Sequence, residues 1–258
     1  MLLAIDVGNT NIVFALMDGG VVQHRWRIST EHGRTADEYA VWLSQLMQLE
    51  GVERTTITAA VISTVVPPTL FNLRRLCTKY FAVEPLVIGD AGVDHGIRLA
   101  VPNPAEVGAD RIVNSAAGHH LIGGDLIIVD FGTATTFDVI IDGAYVGGAI
   151  APGINLSMEA LYMAAAKLPR IAIEPPPGNR ATAQGTVPAM QSGVFFGYVG
   201  LVDGLVGRIK SEHGSPMTVV ATGGLAGLFQ RHTDVIDRVD GDLTIRGLAL
   251  IHALNQKK

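Results

Sequence analysis

Short apolar runs and turn residues alternate through the first 28 residues of this chain. The pattern is typical of a three-stranded antiparallel meander, with Asp18-Gly19-Gly20 as the turn after the second strand. Next, Thr35 and Glu38 have the spacing of a helix capping box, and apolar residues at helical spacing follow until Gly51. The predicted strands are 2–5, 12–17 and 21–28. The chain is therefore predicted to open with a β-meander followed by a helix.

Strands and helices continue to alternate beyond Gly51. A helix is predicted after Pro67-Pro68, a second follows Gly108, and Pro152-Gly153 leads into a third. The further predicted strands are 56–61, 85–88, 126–129, 137–141, 144–151 and 217–221. The predicted helices are 69–80, one that ends near 121, and 155–166. This alternation predicts an α/β protein.

A polar turn joins two apolar strands in the middle of the chain. It has the sequence Asp130-Phe131-Gly132-Thr133-Ala134-Thr135-Thr136. Its glycine allows a backbone conformation that other residues resist, and its aspartate places a carboxylate at a strand end. Its threonines offer hydroxyls beside backbone N–H groups. Such a turn can hold phosphate oxygens and a cation together, although an ordinary hairpin with a threonine-rich tip has the same composition.

The N-terminal stretch repeats this central one at an offset of 124 residues. An aspartate, a glycine and a closing turn recur in the same order in both copies. The matched positions are Asp6 with Asp130, Gly8 with Gly132, Thr10 with Ala134, and Asp18-Gly19 with Asp142-Gly143. Two copies separated by about half the chain suggest a duplicated domain, in which each copy offers a hairpin loop to a shared cleft. We therefore expect two like domains, residues 1–115 and 116–258.

Composition limits the partners of the protein. The 258 residues carry a net charge of -5 without a cluster of Lys or Arg, which argues against nucleic acid or a membrane surface as a partner.

The stretch 181–202 has no charged residue, but it is too polar for a membrane span. Its glycines favour a helix packed closely on another helix, inside the domain or across a dimer. Cys77 is the only cysteine and is expected to be a buried structural thiol, which fits a reducing cytoplasm.

A second candidate site lies at the start of the helix that ends near residue 121. Gly108 could let the backbone approach a ligand, and Asp110 lies where the positive end of the helix dipole keeps a carboxylate ionised. From the spacing alone, Asp110 could equally be a helix cap with Arg111 as its solvated partner. Neither common phosphate-loop motif occurs and no lysine lies in these turns, so backbone amides, hydroxyls and metal ions would have to neutralise a nucleotide.

Four motifs, taken in order, resemble those of type III pantothenate kinase, a family of the actin-like ATPase superfamily, which also contains sugar kinases. They are Asp6-Val7-Gly8-Asn9-Thr10, Gly108-Ala109-Asp110-Arg111, the turn from Asp130 to Thr136, and Gly147-Gly148-Ala149-Ile150-Ala151-Pro152-Gly153. The resemblance runs from residue 2 to about residue 250. It implies an α/β fold of two duplicated actin-like ATPase (ribonuclease H-like) domains with a nucleotide cleft between them.

The resemblance also implies an activity. It predicts a kinase that uses ATP to phosphorylate pantothenate to 4'-phosphopantothenate, the first step of coenzyme A biosynthesis. It further implies Mg²⁺, a monovalent cation (K⁺ or NH₄⁺), and a homodimer. Two alternatives are a kinase of the same superfamily acting on another small hydroxyl substrate and a non-catalytic nucleotide-binding regulator. The retained Asp110 argues against the regulator.

The resemblance assigns roles to particular positions. Asp110 corresponds to the general base, Asp130 to a ligand of the monovalent cation, and Asp6 lies near Mg²⁺. The nucleotide contacts are Asp6, Val7, Gly8, Asn9, Thr10, Asn11, Ile12, Val13 and Thr133. The pantothenate contacts are Val101, Gly108, Ala109, Asp110, Arg111 and Thr186. In the superfamily, the position of the glycine turn Gly223-Gly224 approaches adenosine.

Two positions depart from the family pattern. Val101 stands where the family commonly has a tyrosine, two residues before Asn103-Pro104, so the hydroxyl contact of that tyrosine to the substrate is absent. The sequence Ala183-Gln184-Gly185-Thr186 is less basic than the usual Gly-Lys/Arg-Asn-Thr. Both departures bear on the affinity and selectivity for pantothenate.

Overall fold

The chain divides into two units, each built around a mixed β-sheet. The structure is a computed structural model that describes residues 1–164 and 168–256. The first unit comprises Met1–Ile122 with Asp242–Lys258, and the second comprises Gly123–Gly241. The strands are β1 (Leu2–Val7), β2 (Asn11–Asp18), β3 (Val21–Ser29), β4 (Ala59–Thr64), β5 (Leu86–Val87), β6 (Arg98–Leu99), β7 (Leu126–Phe131), β8 (Ala134–Ile141), β9 (Ala144–Pro152), β10 (Thr218–Gly223) and β11 (Arg238–Val239). The helices are α1 (Ala36–Leu49), α2 (Pro67–Tyr80), α3 (Ala109–Leu121), α4 (Ile154–Ala164), α5 (Thr186–His213), α6 (Ala226–Phe229) and α7 (Leu243–Asn255).

The sheet of the first unit has five strands in the order β3-β2-β1-β4-β5. Strands β1 to β3 form the predicted antiparallel meander, and β4 lies parallel to β1. Alternate residues of β1 face opposite sides of the sheet, so Leu3 and Ile5 pack with residues of α1 and α2, whereas Ala4 packs with residues of α3 and α7. Helices cover both faces of this sheet, which confirms the predicted α/β class.

The last helix of the chain belongs to the first unit. α7 packs along α3 and on β1. The two helices approach closely at Gly247, because a Cβ atom there would lie 2.5 Å from the carbonyl oxygen of Val113. The predicted second domain, residues 116–258, included α7, and the predicted boundary at residue 115 lies inside α3. In the structure the division falls after Ile122, the residue that caps the C-terminus of α3, so that this helix stays whole.

Several predicted elements are displaced by a few residues. The strand predicted at 56–61 begins instead at Ala59, because Arg54–Thr56 forms a turn of 3₁₀-helix. α2 begins at Pro67, two residues earlier than predicted, since proline is well suited to the first helical position. The helix predicted at 155–166 is α4, and the last two residues of that prediction, 165 and 166, lie outside the described residues.

The second unit repeats the sheet of the first unit strand for strand. Its own strands lie in the order β9-β8-β7-β10-β11, which corresponds to β3-β2-β1-β4-β5. In both meanders the register shifts at the same place, between Leu16 and Met17 in the first unit and between Val139 and Ile140 in the second. A β-bulge is a conserved structural feature and not a random defect, so its recurrence confirms the predicted duplication.

The offset of the repeat changes from 124 to 123 residues at the loop after the first strand. The first loop is one residue longer, because residues 8–10 connect β1 to β2 whereas residues 132–133 connect β7 to β8. The pairs that the register matches are Thr10 with Thr133, and Gly19-Gly20 with Asp142-Gly143. The predicted pairs, Thr10 with Ala134 and Asp18-Gly19 with Asp142-Gly143, were therefore wrong by one residue. Thr10 and Thr133 are the equivalent loop positions.

One helix of the described chain, α5, is long and apolar enough to cross a membrane. Its apolar residues are used inside the second unit, where Phe195, Tyr198, Val202 and Val206 are buried in the core with residues of β7, β8 and β10. A buried core helix passes the same test of length and composition. One side of α5 therefore packs in the core of the second unit.

Candidate active site

The loop between β1 and β2 is closed by backbone hydrogen bonds. The Gly8 N–H donates to the Asn11 carbonyl oxygen at 3.0 Å. The N–H of Thr30, the residue after β3, donates to the Thr10 carbonyl oxygen at 2.9 Å. The Thr30 hydroxyl also donates to the Gly8 carbonyl oxygen at 2.7 Å. The side chains of Asn9, Thr10 and Asn11 are exposed. The loop is thus fixed at its base and presents polar side chains to solvent.

Asp6 lies beside this loop at the end of β1. It is half-buried, and its register partners are Val13 on β2 and Ser63 on β4. Val7 and Ile12, two members of the predicted nucleotide-binding set, are buried. Their side chains pack in the core, so a nucleotide could meet only their backbone atoms. A carboxylate at a strand end beside a polar loop can orient a cation.

The loop between β7 and β8 is closed in the same way as the first loop. The Gly132 N–H donates to the Ala134 carbonyl oxygen, and the Gly153 N–H donates to the Thr133 carbonyl oxygen, both at 3.1 Å. A Cβ atom on Gly153 would lie 2.3 Å from that oxygen, so only glycine permits this approach. The hydrogen bonds match those of the first loop at equivalent positions.

Asp130 lies at the end of β7, next to the glycine turn that follows β10. Gly223 has a φ of +89°, and a Cβ atom on it would lie 2.7 Å from Asp130 Oδ1 and 2.6 Å from the Phe131 carbonyl oxygen. Two oxygens therefore converge beside Gly223, and a side chain at that position would cover them. Carboxylate and carbonyl oxygens are ligands of hard cations, so this donor set fits a monovalent cation.

Asp110 is held close to its own backbone in the first turn of α3. Gly108 is the N-cap, and the Arg111 N–H donates to Asp110 Oδ1 at 2.7 Å. A Cβ atom on Gly108 would lie 2.7 Å from the same oxygen, so glycine leaves the space that the carboxylate needs. The alternative interpretation of Asp110 as the helix cap is wrong, because Gly108 occupies that position.

Burial has the largest effect on the pKa of Asp110. It raises the pKa of the carboxyl group, against the smaller lowering effects of the Arg111 N–H and the Arg111 guanidinium. The helix dipole was expected to keep this carboxylate ionised, but desolvation has the larger effect on its pKa. A carboxylate with a raised pKa is a stronger base than an exposed one.

Val65 joins the first loop to the turn that carries Asp110. Its N–H donates to the Val7 carbonyl oxygen at 3.1 Å. One of its methyl carbons lies 3.6 Å from the position that a Cβ atom on Gly108 would take. The structure therefore brings two motifs of the first unit together, and the sequence patterns had not marked Val65. Its place directly after β4, the strand parallel to β1, is the signal that could have found it.

The remaining predicted substrate contacts lie on different elements. Val101 is half-buried in the loop before α3, and Ala109 and Arg111 are half-buried beside Asp110. Thr186 is exposed and is the first residue of α5, where Gly185 with a φ of +107° is the N-cap. Val101, Ala109 and Arg111 belong to the first unit and Thr186 to the second.

Nucleophilic thiol chemistry and a protein-built metal cluster find no support in the described residues. Cys77 is fully buried, and burial raises its pKa to about 12, which confirms a structural thiol. Across residues 1–164 and 168–256, no group of three or more His, Cys, Asp or Glu could hold a metal ion.

Comparison with known proteins identifies the family. The sequence model described as type III pantothenate kinase matches residues 2–208. The chain belongs to the type III pantothenate kinase family. The type III pantothenate kinase of Paramagnetospirillum magneticum is 60% identical over 256 residues, which cover 99% of this chain and 98% of the relative. That of Caulobacter vibrioides is 57% identical over 256 residues, with 99% and 98% covered. The family, the kinase class and ATP-dependent phosphorylation of pantothenate, all predicted from the motifs, are confirmed.

Solved structures support the fold of this pantothenate kinase. A protein from Campylobacter jejuni described as a Baf family transcriptional activator has a TM-score of 0.63 at 19% identity, covering 99% of this chain and 100% of that one. A Listeria monocytogenes protein described as an N-acetylmannosamine kinase has a TM-score of 0.54 at 12% identity, with 99% of each chain covered. At these identities the likeness concerns the fold alone, and it confirms the predicted sugar kinase and actin-like ATPase fold.

We predict that the variant Asp110→Asn is more stable than the parent kinase at neutral pH. Because the pKa of Asp110 is raised in the folded state, the folded chain binds this proton more tightly than the unfolded chain. The contribution of the group to stability is therefore present at low pH and is lost as pH rises through the raised pKa. Asparagine still accepts the Arg111 N–H but carries no charge to desolvate.

Denaturant unfolding of both proteins from about pH 4, near the ordinary pKa of an aspartate, up to neutral pH measures this difference. The stability advantage of the variant should grow as pH rises. A variant that is less stable than the parent by the same amount at every pH would contradict the assigned burial effect. Glu106→Gln, at an exposed carboxylate of the preceding turn, is the matched control and should show no such trend.

Proposed function

We propose that Asp110 is the general base in the phosphorylation of pantothenate by this chain. Its carboxylate accepts the proton of the pantothenate hydroxyl while that oxygen attacks the γ-phosphorus of ATP. The bond from the γ-phosphorus to the β–γ bridging oxygen breaks, giving 4'-phosphopantothenate and ADP. The observation that carries the proposal is a carboxylate kept in place by Gly108 and by the Arg111 N–H, with a pKa raised by burial.

Gly108, Ala109 and Arg111 are proposed to position pantothenate against this base, with Val101 and Thr186 as further contacts. Gly108 leaves room for the Asp110 carboxylate and for a ligand that approaches the backbone. Val101 supplies apolar surface in place of a tyrosine hydroxyl, so substrate orientation depends more on the turn of Gly108 to Arg111. The half-buried position of Val101 supports an apolar contact.

The two loops are proposed to bind the phosphates of ATP. The residues from Asp6 to Val13, which include Asn9, Thr10 and Asn11, take the larger share of the nucleotide, and Thr133 contributes one phosphate contact. Both loops are closed by the same pair of backbone hydrogen bonds, which supports a preorganised surface of amides and hydroxyls. Phosphoryl transfer needs positioning and charge neutralisation more than covalent chemistry from the protein.

Two cations are proposed to complete the charge balance. Asp6 is proposed to lie near Mg²⁺, which would neutralise phosphate charge when bound. Asp130 is proposed as a ligand of K⁺ or NH₄⁺, since its Oδ1 and the Phe131 carbonyl oxygen both converge beside Gly223. The chain has no lysine in either loop, so these cations are the counter-charges that the motifs require.

We also propose that the chain forms a homodimer through α5. Five glycines lie on the exposed side of this helix at spacings of three and four residues, opposite its buried aromatic and aliphatic side chains. They are Gly193, Gly197, Gly200, Gly204 and Gly207. A Cβ atom at any of them would meet no other atom within 4 Å in the described part of the chain. A strip without side chains lets a second helix approach closely.

A cytoplasmic location is proposed on the state of the thiol. Cys77 is buried and is the only cysteine, so the chain gains no stability from an intrachain disulfide. Fractionation with antibody detection would test this location, and recovery from an oxidising compartment would contradict it.

Asp110→Asn is expected to lower the turnover number by about 10²- to 10⁴-fold, the usual contribution of a general base. Pantothenate-dependent release of ADP measures the effect, with Glu106→Gln as the control that should keep full activity. In the parent enzyme, activity should fall as pH decreases through the raised pKa of Asp110, because protonation removes the base. Turnover of the variant within a few-fold of the parent would contradict the assignment of Asp110 as the general base.

Asp130→Asn is expected to remove the dependence on K⁺ or NH₄⁺. Parent activity should be low in a buffer with sodium as the sole monovalent cation and rise with potassium, whereas the variant should stay low in both. As a readout independent of catalysis, potassium should raise the melting temperature of the parent more than sodium does. Asp125→Asn, at a carboxylate that accepts the Asp142 N–H at 3.0 Å, is the control. Full parent activity in sodium alone would reject the cation site.

Gly200→Leu is expected to give a folded monomer. Leucine has a higher helix propensity than glycine and meets no described atom here, so the fold should remain while close approach of a second helix is blocked. Light scattering after size exclusion should show a mass near 27.3 kDa for the variant and about twice that for the parent. Glu212→Leu, on the same helix outside the glycine strip, should remain dimeric. A dimeric Gly200→Leu protein would show that the interface lies elsewhere.

A further inference from the structure

Tyr198 places a hydroxyl group inside the core of the second unit. It lies on the buried side of α5 and is 5% exposed. Its hydroxyl is hydrogen-bonded to the hydroxyl of Thr135, which is 1% exposed. Burying a hydroxyl among apolar groups costs free energy unless the hydroxyl is hydrogen-bonded. Each of these two hydroxyls therefore depends on the other as its partner. A phenylalanine could fill the space of the ring without this requirement.

Tyr198 lies next to both segments that flank the second loop, one through its hydroxyl and the other through core packing. Thr135 is the second residue of β8, directly after Thr133 and Ala134. Ile154, at the start of α4, is 2% exposed and belongs to the same hydrophobic core cluster as Tyr198. Ile154 follows Gly153, whose N–H holds the Thr133 carbonyl oxygen at 3.1 Å. Tyr198 is thus bonded to the segment that follows the loop and packs in one cluster with the segment that holds the Thr133 carbonyl oxygen.

The ring of Tyr198 packs beneath the residues that flank the loop. Its centroid lies 6.3 Å from that of Phe131, the last residue of β7, and 5.1 Å from that of Phe229 on α6. Phe131 and Phe229 are themselves stacked, with centroids 5.1 Å apart. Aromatic packing of this kind restricts the strand end that carries Asp130 and the loop. The hydroxyl adds a directional bond to that packing.

We propose that Tyr198 is a positioning residue for the loop between β7 and β8, and that its hydroxyl, through Thr135, sets the affinity of the kinase for ATP. The inference rests on the proposed function in one respect, the phosphate contact of Thr133. Tyr198 touches no reacting atom. It acts by keeping Thr135 and Ile154 in one arrangement, so that Thr133 is already in place when the nucleotide binds.

The test compares Tyr198→Phe, Thr135→Val and the double variant with the parent. Each single variant removes one partner of the hydrogen bond and keeps nearly the same shape. We expect the KM for ATP to rise about 2- to 12-fold, the effect of losing one neutral hydrogen bond, with the KM for pantothenate unchanged. The double variant should be no worse than either single variant, because both remove the same bond. Thr135→Ser, which keeps the hydroxyl, should retain the parent KM.

A direct binding measurement separates this inference from the proposed function. Calorimetric titration with ATP should show weaker binding to Tyr198→Phe by the same factor as the change in KM. Tyr80→Phe, which removes a hydroxyl bonded to Asp37 Oδ1 at 2.6 Å in the first unit, is the control and should bind ATP as the parent does. A parent protein that binds no ATP would overturn the proposed function. A parent that binds ATP, with Tyr198→Phe binding equally well, would overturn the positioning role alone.

Discussion

Each hairpin loop is closed by two backbone hydrogen bonds, one within the loop and one from the end of the third strand of its meander. These are Gly8 to Asn11 and Thr30 to Thr10 in the first unit, and Gly132 to Ala134 and Gly153 to Thr133 in the second. The bonds are made by the main chain, so the equivalent donors can differ, Thr30 in the first copy and Gly153, where a side chain would clash, in the second. They depend on the meander register and its bulge, which the units share. The position of every proposed phosphate contact follows from this closure.

Asp110 shows how the same fold accepts a local cost. A buried carboxylate is unfavourable, and the structure offsets part of this cost with the Arg111 N–H while the glycine at 108 leaves the group room. The remaining desolvation raises the pKa, which is what a base requires. Val65 links this turn to the end of β1, so the proposed base and the first loop rest on the same strand pair.

The sequence predicted the α/β class, the duplication and the family, because short motifs and apolar periods are local properties. It misplaced the repeat by one residue after the first loop, since a one-residue difference in loop length leaves little trace in composition. It placed α7 in the second domain, whereas the contact of Gly247 with Val113 joins residues far apart in the chain. Val65 and Tyr198 were missed as site residues for the same reason, because their roles depend on tertiary contacts.

Proton removal from pantothenate by Asp110 is best tested by a crystal structure of the kinase with pantothenate and a non-hydrolysable ATP analogue. We expect the hydroxyl oxygen to be phosphorylated to lie about 2.6–3.2 Å from a carboxylate oxygen of Asp110, within hydrogen-bonding reach. A complex in which that hydroxyl lies beyond reach of Asp110 and is bonded to another base would contradict it.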